Sequence, residues 1–221
     1  MQTIRVWDLP TRVFHWALAC AVVGLVTTAQ LGGSWMEWHM RLGYFVLSLL
    51  AFRIAWGLVG GYWSRFGVFV PGPARLLRYL RAPTPPHDHA GHSPQGALSV
   101  LAMLLVLIAQ VGSGLFSDDE IATSGPLSRF ASGEWVSRAS DYHTNIGKYL
   151  LLALVVIHIV AILVYWLKKG QKLLPPMLHG DKMAAHGLQS SRDDAASRGL
   201  ALIIWLACSG LIALLLNWAQ S

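Results

Sequence analysis

Charge is scarce in this chain. Asp, Glu, Lys and Arg make up only 13% of its 221 residues, where a soluble domain carries about 25%. Hydrophobic residues make up 54%, so the composition is that of an integral membrane protein and the question of domains becomes one of spans. Cysteine is scarcer still, with Cys20 and Cys208 both in apolar segments. That excludes a disulfide framework and a cysteine-ligated iron–sulfur cluster, and the lack of Cys-x-x-Cys-His excludes covalently attached haem. The chain has no glycine-rich phosphate loop, no nucleophile elbow and no Ser/His/Asp arrangement, which argues against an NTPase or a hydrolase. It has no internal repeat. The net charge of +6 does not mark a nucleic-acid partner, because Lys and Arg concentrate in alternate loops, as orientation in a bilayer requires.

What the chain has instead is long apolar runs. Five segments meet the length of about 20 residues needed to cross a bilayer: 13–32, 40–60, 96–116, 145–167 and 199–218. Arg5 and Arg12 ahead of the first run, with Thr27-Thr28-Ala29 behind it, form a rival signal-peptide pattern. His15 and Trp16 spoil the start of that run. Arg5 and Arg12 precede span one, Arg65, Arg75, Arg78 and Arg81 follow span two, and Lys168, Lys169, Lys172, Lys182, Arg192 and Arg198 follow span four. The opposite side has Arg41, Arg129 and Arg138 together with Asp118, Asp119, Glu120, Glu134 and Asp141. The positive-inside rule then predicts a cytoplasmic N-terminus and a periplasmic C-terminus in a bacterial inner membrane. Prolines 71, 73, 83, 85 and 86 break the 61–95 connection, with room for a short interfacial helix over 73–80. The small, polar stretch 181–198 reads as a flexible cytoplasmic tether to span five.

Four histidines lie in or at the ends of these spans, where ionisable groups are rare and mark function. His15 lies near the cytoplasmic end of span one and His39 at the outer end of span two. His143 opens span four and His158 follows fifteen residues later. On a helix that spacing covers about 22 Å and turns the side chain by only about 60°. Depth then pairs His15 with His158 on the inner side and His39 with His143 on the outer side. The inner match is the looser, with His158 the deeper of the two. Two such pairs suit the axial ligation of two non-covalent haems, and an iron with two imidazoles has no open position, which favours electron transfer. The bland alternative is that each histidine packs or hydrogen-bonds between helices.

Arg53, fourteen residues after His39 in span two, needs an anionic partner, and haem propionates suit its guanidinium fork. Arg12, Arg41 and Lys148 are candidates for the same role, with snorkelling as the competing explanation. Gly43, Gly57, Gly60, Gly112, Gly114 and Gly147 let a helix or a porphyrin plane approach closely. The ten tryptophans read as an aromatic belt. His87, His89 and His92, with His179 and His186, read as solvated-loop bystanders because nothing in their spacing fixes a metal geometry.

Taken together, these motifs resemble the bacterial cytochrome b561 / nickel–iron-hydrogenase b-type cytochrome family. The resemblance runs over about residues 4–182. It includes Val6-Trp7-Asp8-Leu9-Pro10, Arg12 and His15-Trp16; His39 with Leu42-Gly43; and Arg53, Trp56-Gly57, Gly60 and Arg65-Phe66. It continues through Gly91-His92-Ser93-Pro94-Gln95-Gly96, Gly114, Ser117-Asp118-Asp119, His143 and His158, to Met177, Gly180 and Lys182. It implies an all-α fold: a four-helix transmembrane bundle holding two haems b over 1–180. The linker 181–198 and a fifth helix over 199–221 lie beyond that core. It also implies that the four histidines are the ligands and that electrons pass between the quinone pool and a partner.

The leading expectation is therefore an electron-transfer subunit, linking quinone or quinol to a hydrogenase, another oxidoreductase or a periplasmic c-type cytochrome. Two readings stay open beside it: a self-contained oxidoreductase passing electrons from superoxide to quinone, and a haem-free membrane scaffold.

Overall fold

The computed structural model describes residues 1–81, 90–121 and 123–221, apart from the side chains of Arg75 and residues 78–80. In chain order its main elements are strand β1 (Gln2–Arg5), helices α1 (Leu9–Leu31), α2 (Trp35–Val59), α3 (Phe66–Phe69), α4 (Pro73–Arg81), α5 (Pro94–Phe116), α6 (Gly133–Asp141), α7 (Lys148–Lys169) and α8 (Leu174–His179), strand β2 (Asp181–Ala184) and helix α9 (Ala195–Gln220). Five helical runs are long and apolar enough to cross a membrane: α1, α2, α5, the continuous run Gly133–Lys169, and α9. The fold is thus the expected helical one with five candidate spans, and α4 is the short helix anticipated after span two.

Spans two and five begin about a turn earlier than expected, at Trp35 and Ala195, and two further boundaries bear on the histidines. The first span begins at Leu9, one turn earlier than 13, which carries His15 further into its helix and narrows the mismatch with His158. His143 does not open its span, because helix has already run from Gly133 when it is reached. It sits in a π-helical turn, Tyr142–Gly147, between α6 and α7.

The chain folds as two compact units. The first comprises Met1–His15, Arg53–Ala102 and Val156–Ile204. Its centre is Asp8, which is fully buried. The Asp8 carboxylate caps α1 by accepting from the Thr11 N–H at 2.8 Å, as a preferred N-cap residue does. It also accepts from Trp56 Nε1 (3.2 Å), the Gly61 N–H (3.1 Å) and Ser64 Oγ (2.9 Å). The start of α1 is thereby bonded to the end of α2 and to the 3-10 turn Tyr62–Ser64. Gly61 has to be glycine here, since a Cβ would fall 2.1 Å from Asp8 Oδ2.

Residues 181–198 are not a tether. β2 pairs antiparallel with β1 in the register Gln2↔Ala184 to Arg5↔Asp181. Gly180, in a left-handed conformation at φ +93°, ends α8 and accepts from the N–H groups of Val6 and Trp7. The ribbon covers a small core of Ile4, Val6, Trp7, Ala90 and Ala184, packed against Trp63, Met177 and Leu188. Beyond it, Ser191 bonds Arg5 and Val6 of the N-terminal arm. Asp193 accepts from Arg5 Nη1 (2.6 Å), Arg198 Nε (2.9 Å) and the Leu9 N–H (3.1 Å). A polar segment thus becomes ordered because Ser190, Ser191 and Asp193 are met by the N-terminal arm, about 185 positions away.

The second unit comprises Trp16–Phe52, Met103–Val155 and Trp205–Ser221. Gly24 makes room for Leu42, whose Cδ1 lies 2.9 Å from where a Cβ would stand. The end of α9 is held by the stacked rings of Phe130 and Trp218, 5.1 Å apart and 4° from parallel.

Asp8 is the test of the first unit. Leaving a buried donor unpaired costs about 1–3 kcal/mol, and Asp8→Ala strands several. We expect a large fall in thermal midpoint in detergent, with Asp8→Asn, which keeps one acceptor oxygen, clearly milder. Asp193 supplies a pH test. Burial opposes its ionisation, but hydrogen bonds from Arg198, the Leu9 N–H and Arg5 outweigh that and hold the carboxyl below the usual carboxylate range. A depressed pKa means the clasp's contribution is full above the unfolded value, about 3.9, and is lost as pH falls through the folded value. Protection of the β1 amides against hydrogen exchange, corrected for the intrinsic rate, should therefore fall only in acid, and in Asp193→Asn it should be low at neutral pH as well.

Candidate functional site

A histidine carried into an apolar span must have its ring N–H met by the protein, since no water is there to meet it. The second unit does this twice. His39 Nδ1 lies 3.0 Å from the Leu25 carbonyl of α1, and His143 Nδ1 lies 2.8 Å from the Gln110 carbonyl of α5. A carbonyl only accepts, so each Nδ1 carries the proton and each Nε2 keeps its lone pair. That is the tautomer of a metal-ligating histidine, whose other nitrogen is anchored to a carbonyl or carboxylate. The two rings face one another, with centroids 6.1 Å apart and planes at 90°.

His143 is held from both ends of its residue. The Gln110 side chain returns the contact, its Nε2 donating to the His143 backbone carbonyl at 2.9 Å. The π-turn re-registers the helical bonds around that carbonyl, and the glutamine supplies a donor to it. Two glycines make the clamp fit. A Cβ on Gly147 would collide with Gln110 Oε1 at 2.1 Å, and one on Gly114 would stand 2.8 Å from His143 Cε1. Gly43, one turn beyond His39, faces open space instead.

The first unit holds the other pair. His15 of α1 and His158 of α7 have ring centroids 6.5 Å apart and planes at 51°. Both pairs are therefore those expected from depth, and all four rings are half-buried. Arg53 is buried, 3% exposed, with its guanidinium over the rings of Phe66 (4.9 Å) and Phe69 (5.7 Å). Its Nη1 has no hydrogen-bond partner among the described residues. Gly57 allows this stacking, because a Cβ there would overlap the Phe66 ring.

The other basic candidates are differently placed. Arg12 donates to the Leu178 carbonyl and lies 3.8 Å from Asp193, while its buried Nε has no hydrogen-bond partner among the described residues. Arg41 pairs with Glu37 on an exposed helix face and stacks over Trp38. Lys148 lies over the Tyr149 ring at 4.6 Å, within electrostatic range of His143. Among the loop histidines, His87 and His89 lie outside the described residues, and His186 is exposed. His179 accepts from the Asp181 N–H at 3.3 Å. His92 is no solvated bystander. Its ring packs between Trp7 (4.6 Å) and Phe69 (4.8 Å), and its Nδ1 is sealed from solvent. Burial, with Arg53, His158 and Lys182 nearby, pushes its pKa down to about 3. The one signal for this in the sequence was its place directly before the Ser93-Pro94 helix start.

Fold and site together define a multi-pass helical membrane protein with facing histidine pairs inside its spanning helices. The chain belongs to the prokaryotic cytochrome b561 family, whose model matches residues 6–180. It is therefore a membrane electron-transport protein of the haem b type. It is similar to the probable Ni/Fe-hydrogenase B-type cytochrome subunit of Rhizobium leguminosarum bv. viciae, at 23% identity over 82% of this chain and 90% of that one. Proteins of the same name from Azotobacter vinelandii (22%, covering 81% and 88%) and Cupriavidus necator (25%, covering 81% and 87%) match similarly. No solved structure matches it.

The histidine pairs fit haem b. An imidazole nitrogen binds a first-row metal at about 2 Å and the ring centroid lies about 1 Å behind it, so two imidazoles sharing one ion keep centroids about 6 Å apart. The observed 6.1 and 6.5 Å meet that spacing. Gly114→Ala drives a methyl into the His143 ring, whereas Gly112 faces open space. We expect the reduced-minus-oxidised b-type absorbance of the purified protein to fall in Gly114→Ala and to stay at the wild-type level in Gly112→Ala.

Proposed function

We propose that this chain is a di-haem b cytochrome that carries electrons across a bacterial inner membrane between quinone or quinol and a protein redox partner. His15 and His158 hold one iron and His39 and His143 the other. When bound, each haem supplies a one-electron couple, with both axial positions taken by imidazole, so the iron serves transfer rather than oxygen binding. The protein's share is ligation, orientation and electrostatic tuning. The Leu25 and Gln110 carbonyls orient their rings, and Arg53 offers a charge-assisted donor to a propionate. Residues 1–180 form the haem-bearing domain, and 199–221 adds a helix to it, tied down through the 181–198 segment.

The observation that carries this reading is the facing of four histidines in two pairs, each within one compact unit, at the spacing one shared ion demands. The excess of Lys and Arg on the side of Arg5, Arg65 and Lys168 supports a cytoplasmic N-terminus and a periplasmic C-terminus. The relatives' names support a hydrogenase-type oxidoreductase as partner.

Single histidine replacements test the pairing. His15→Ala and His158→Ala should remove one and the same spectral component, and His39→Ala and His143→Ala the other. Loss of one common component in His15→Ala and His39→Ala contradicts it. Purified protein given quinone or quinol alone should turn over only when a redox partner is added. Steady turnover on superoxide and quinone, with no partner, would instead make the chain a self-contained enzyme.

A further inference from the structure

Close to the His15–His158 pair the first unit gathers buried nitrogen without matching oxygen. Arg53 Nη1 has no hydrogen-bond partner among the described residues, although the residue is 3% exposed. The carboxylate in electrostatic reach of Arg53 is Asp8, and its oxygens are already occupied by Thr11, Trp56, Gly61 and Ser64. His92 Nδ1 is likewise sealed and without a partner among the described residues. The Phe69 ring joins the two, lying under the Arg53 guanidinium at 5.7 Å and against the His92 ring at 4.8 Å. Lys182 brings a third nitrogen. It is half-buried, with Nζ donating to the Ala90 carbonyl at 3.1 Å, two residues from His92. Arg53, His158 and Lys182 all act electrostatically on the His92 ring.

The fold holds these residues there deliberately. Gly91 lets the segment lie against Trp63, whose Cε3 would be 2.7 Å from a Cβ. β2 carries Lys182 opposite Ile4 of β1, so the clasp sets its position. Buried cationic and donor groups without a counter-charge are strongly destabilising unless an anion meets them.

We propose that His92 and Lys182 complete, with Arg53, a carboxylate-binding site beside the His15–His158 pair, and that its occupant is a carboxylate of the haem bound there. A flat carboxylate offers two oxygens and about four lone-pair sites, enough for the three donors. The ribbon then has a function: it delivers Lys182 to the cofactor, so the segment 181–184 belongs to the haem site as well as to the clasp. This proposal rests on the haem reading given above.

The test uses the purified holoprotein and reads two quantities for the component lost in His15→Ala: its midpoint potential and its rate of haem loss to an excess of apomyoglobin. Lys182→Met and His92→Leu should each speed that loss roughly tenfold or more, the worth of one charge-assisted hydrogen bond. Lys182→Met should also lower the potential, because a nearby cation favours the reduced haem. His92→Gln and Lys182→Arg, which keep a donor, should stay near the wild type. The component lost in His143→Ala should be unchanged throughout, which shows that the fold is intact. If His92→Leu does not fold, Lys182→Met and His92→Gln carry the test. Wild-type haem loss and potential in Lys182→Met would overturn the proposal. So would a site for a free anion, seen as succinate raising the thermal midpoint of the wild type but not of Lys182→Met while haem loss stays the same in both. If His15→Ala removes no component from the wild type, it is the haem reading itself that fails.

Discussion

Hydrocarbon supplies no hydrogen bonds, so every polar atom carried into a spanning helix has to be met from within the protein or by something the protein binds. The structure is arranged around that constraint. Asp8, fully buried, is met by four donors from three segments of the chain. His39 and His143 are met at Nδ1 by carbonyls of neighbouring helices, which leaves Nε2 of each unprotonated. Buried atoms without a partner among the described residues include Arg12 Nε, Gln110 Oε1, Trp205 Nε1 and Ser209 Oγ as well as Arg53 Nη1 and His92 Nδ1, and it is the last two, gathered beside one histidine pair, that we read as donors to a bound group. The same rule thus accounts for what is held in place in the molecule and underlies the proposed position of its cofactor.

The division into two units gives each histidine pair its own surroundings. The pair His15–His158 lies in the unit that contains the ribbon, the Asp8 centre and the clasp at Asp193. The pair His39–His143 lies in the unit that contains the π-turn and the Gln110 clamp. The first pair thus shares its unit with buried charged groups, whereas the second is oriented by backbone carbonyls and a side-chain amide. Because potential follows ligand basicity and local charge, the proposed di-haem reading carries with it two redox centres of unlike potential.

Much of this was legible in the sequence. The spans follow from length and hydropathy, and the pairing from the depth of four histidines, with a one-turn boundary shift narrowing the gap between His15 and His158. Arg53 stood out as a charge where none belongs. What could not be read depends on contacts between distant residues. Ser191 and Asp193 look like linker composition until Val6 and Arg5 meet them. The contacts of Arg12 with Leu178 and Asp193 likewise join distant parts of the chain. His92 looks like part of a histidine-rich loop, and only the packing of Trp7 and Phe69 reveals otherwise. The π-turn has no periodicity of its own to betray it, although Gly147 inside an apolar helical run was a trace of the close approach it permits.

The central claim is that two histidine pairs hold two haems. It is tested most directly by the ratio of haem to protein in the purified chain, measured by the pyridine haemochrome alongside quantitative amino-acid analysis. The account predicts two non-covalent haems b per chain, falling to one when either pair is broken by a single replacement. One haem in the intact chain, or a ratio indifferent to His39→Ala and His158→Ala, would contradict it.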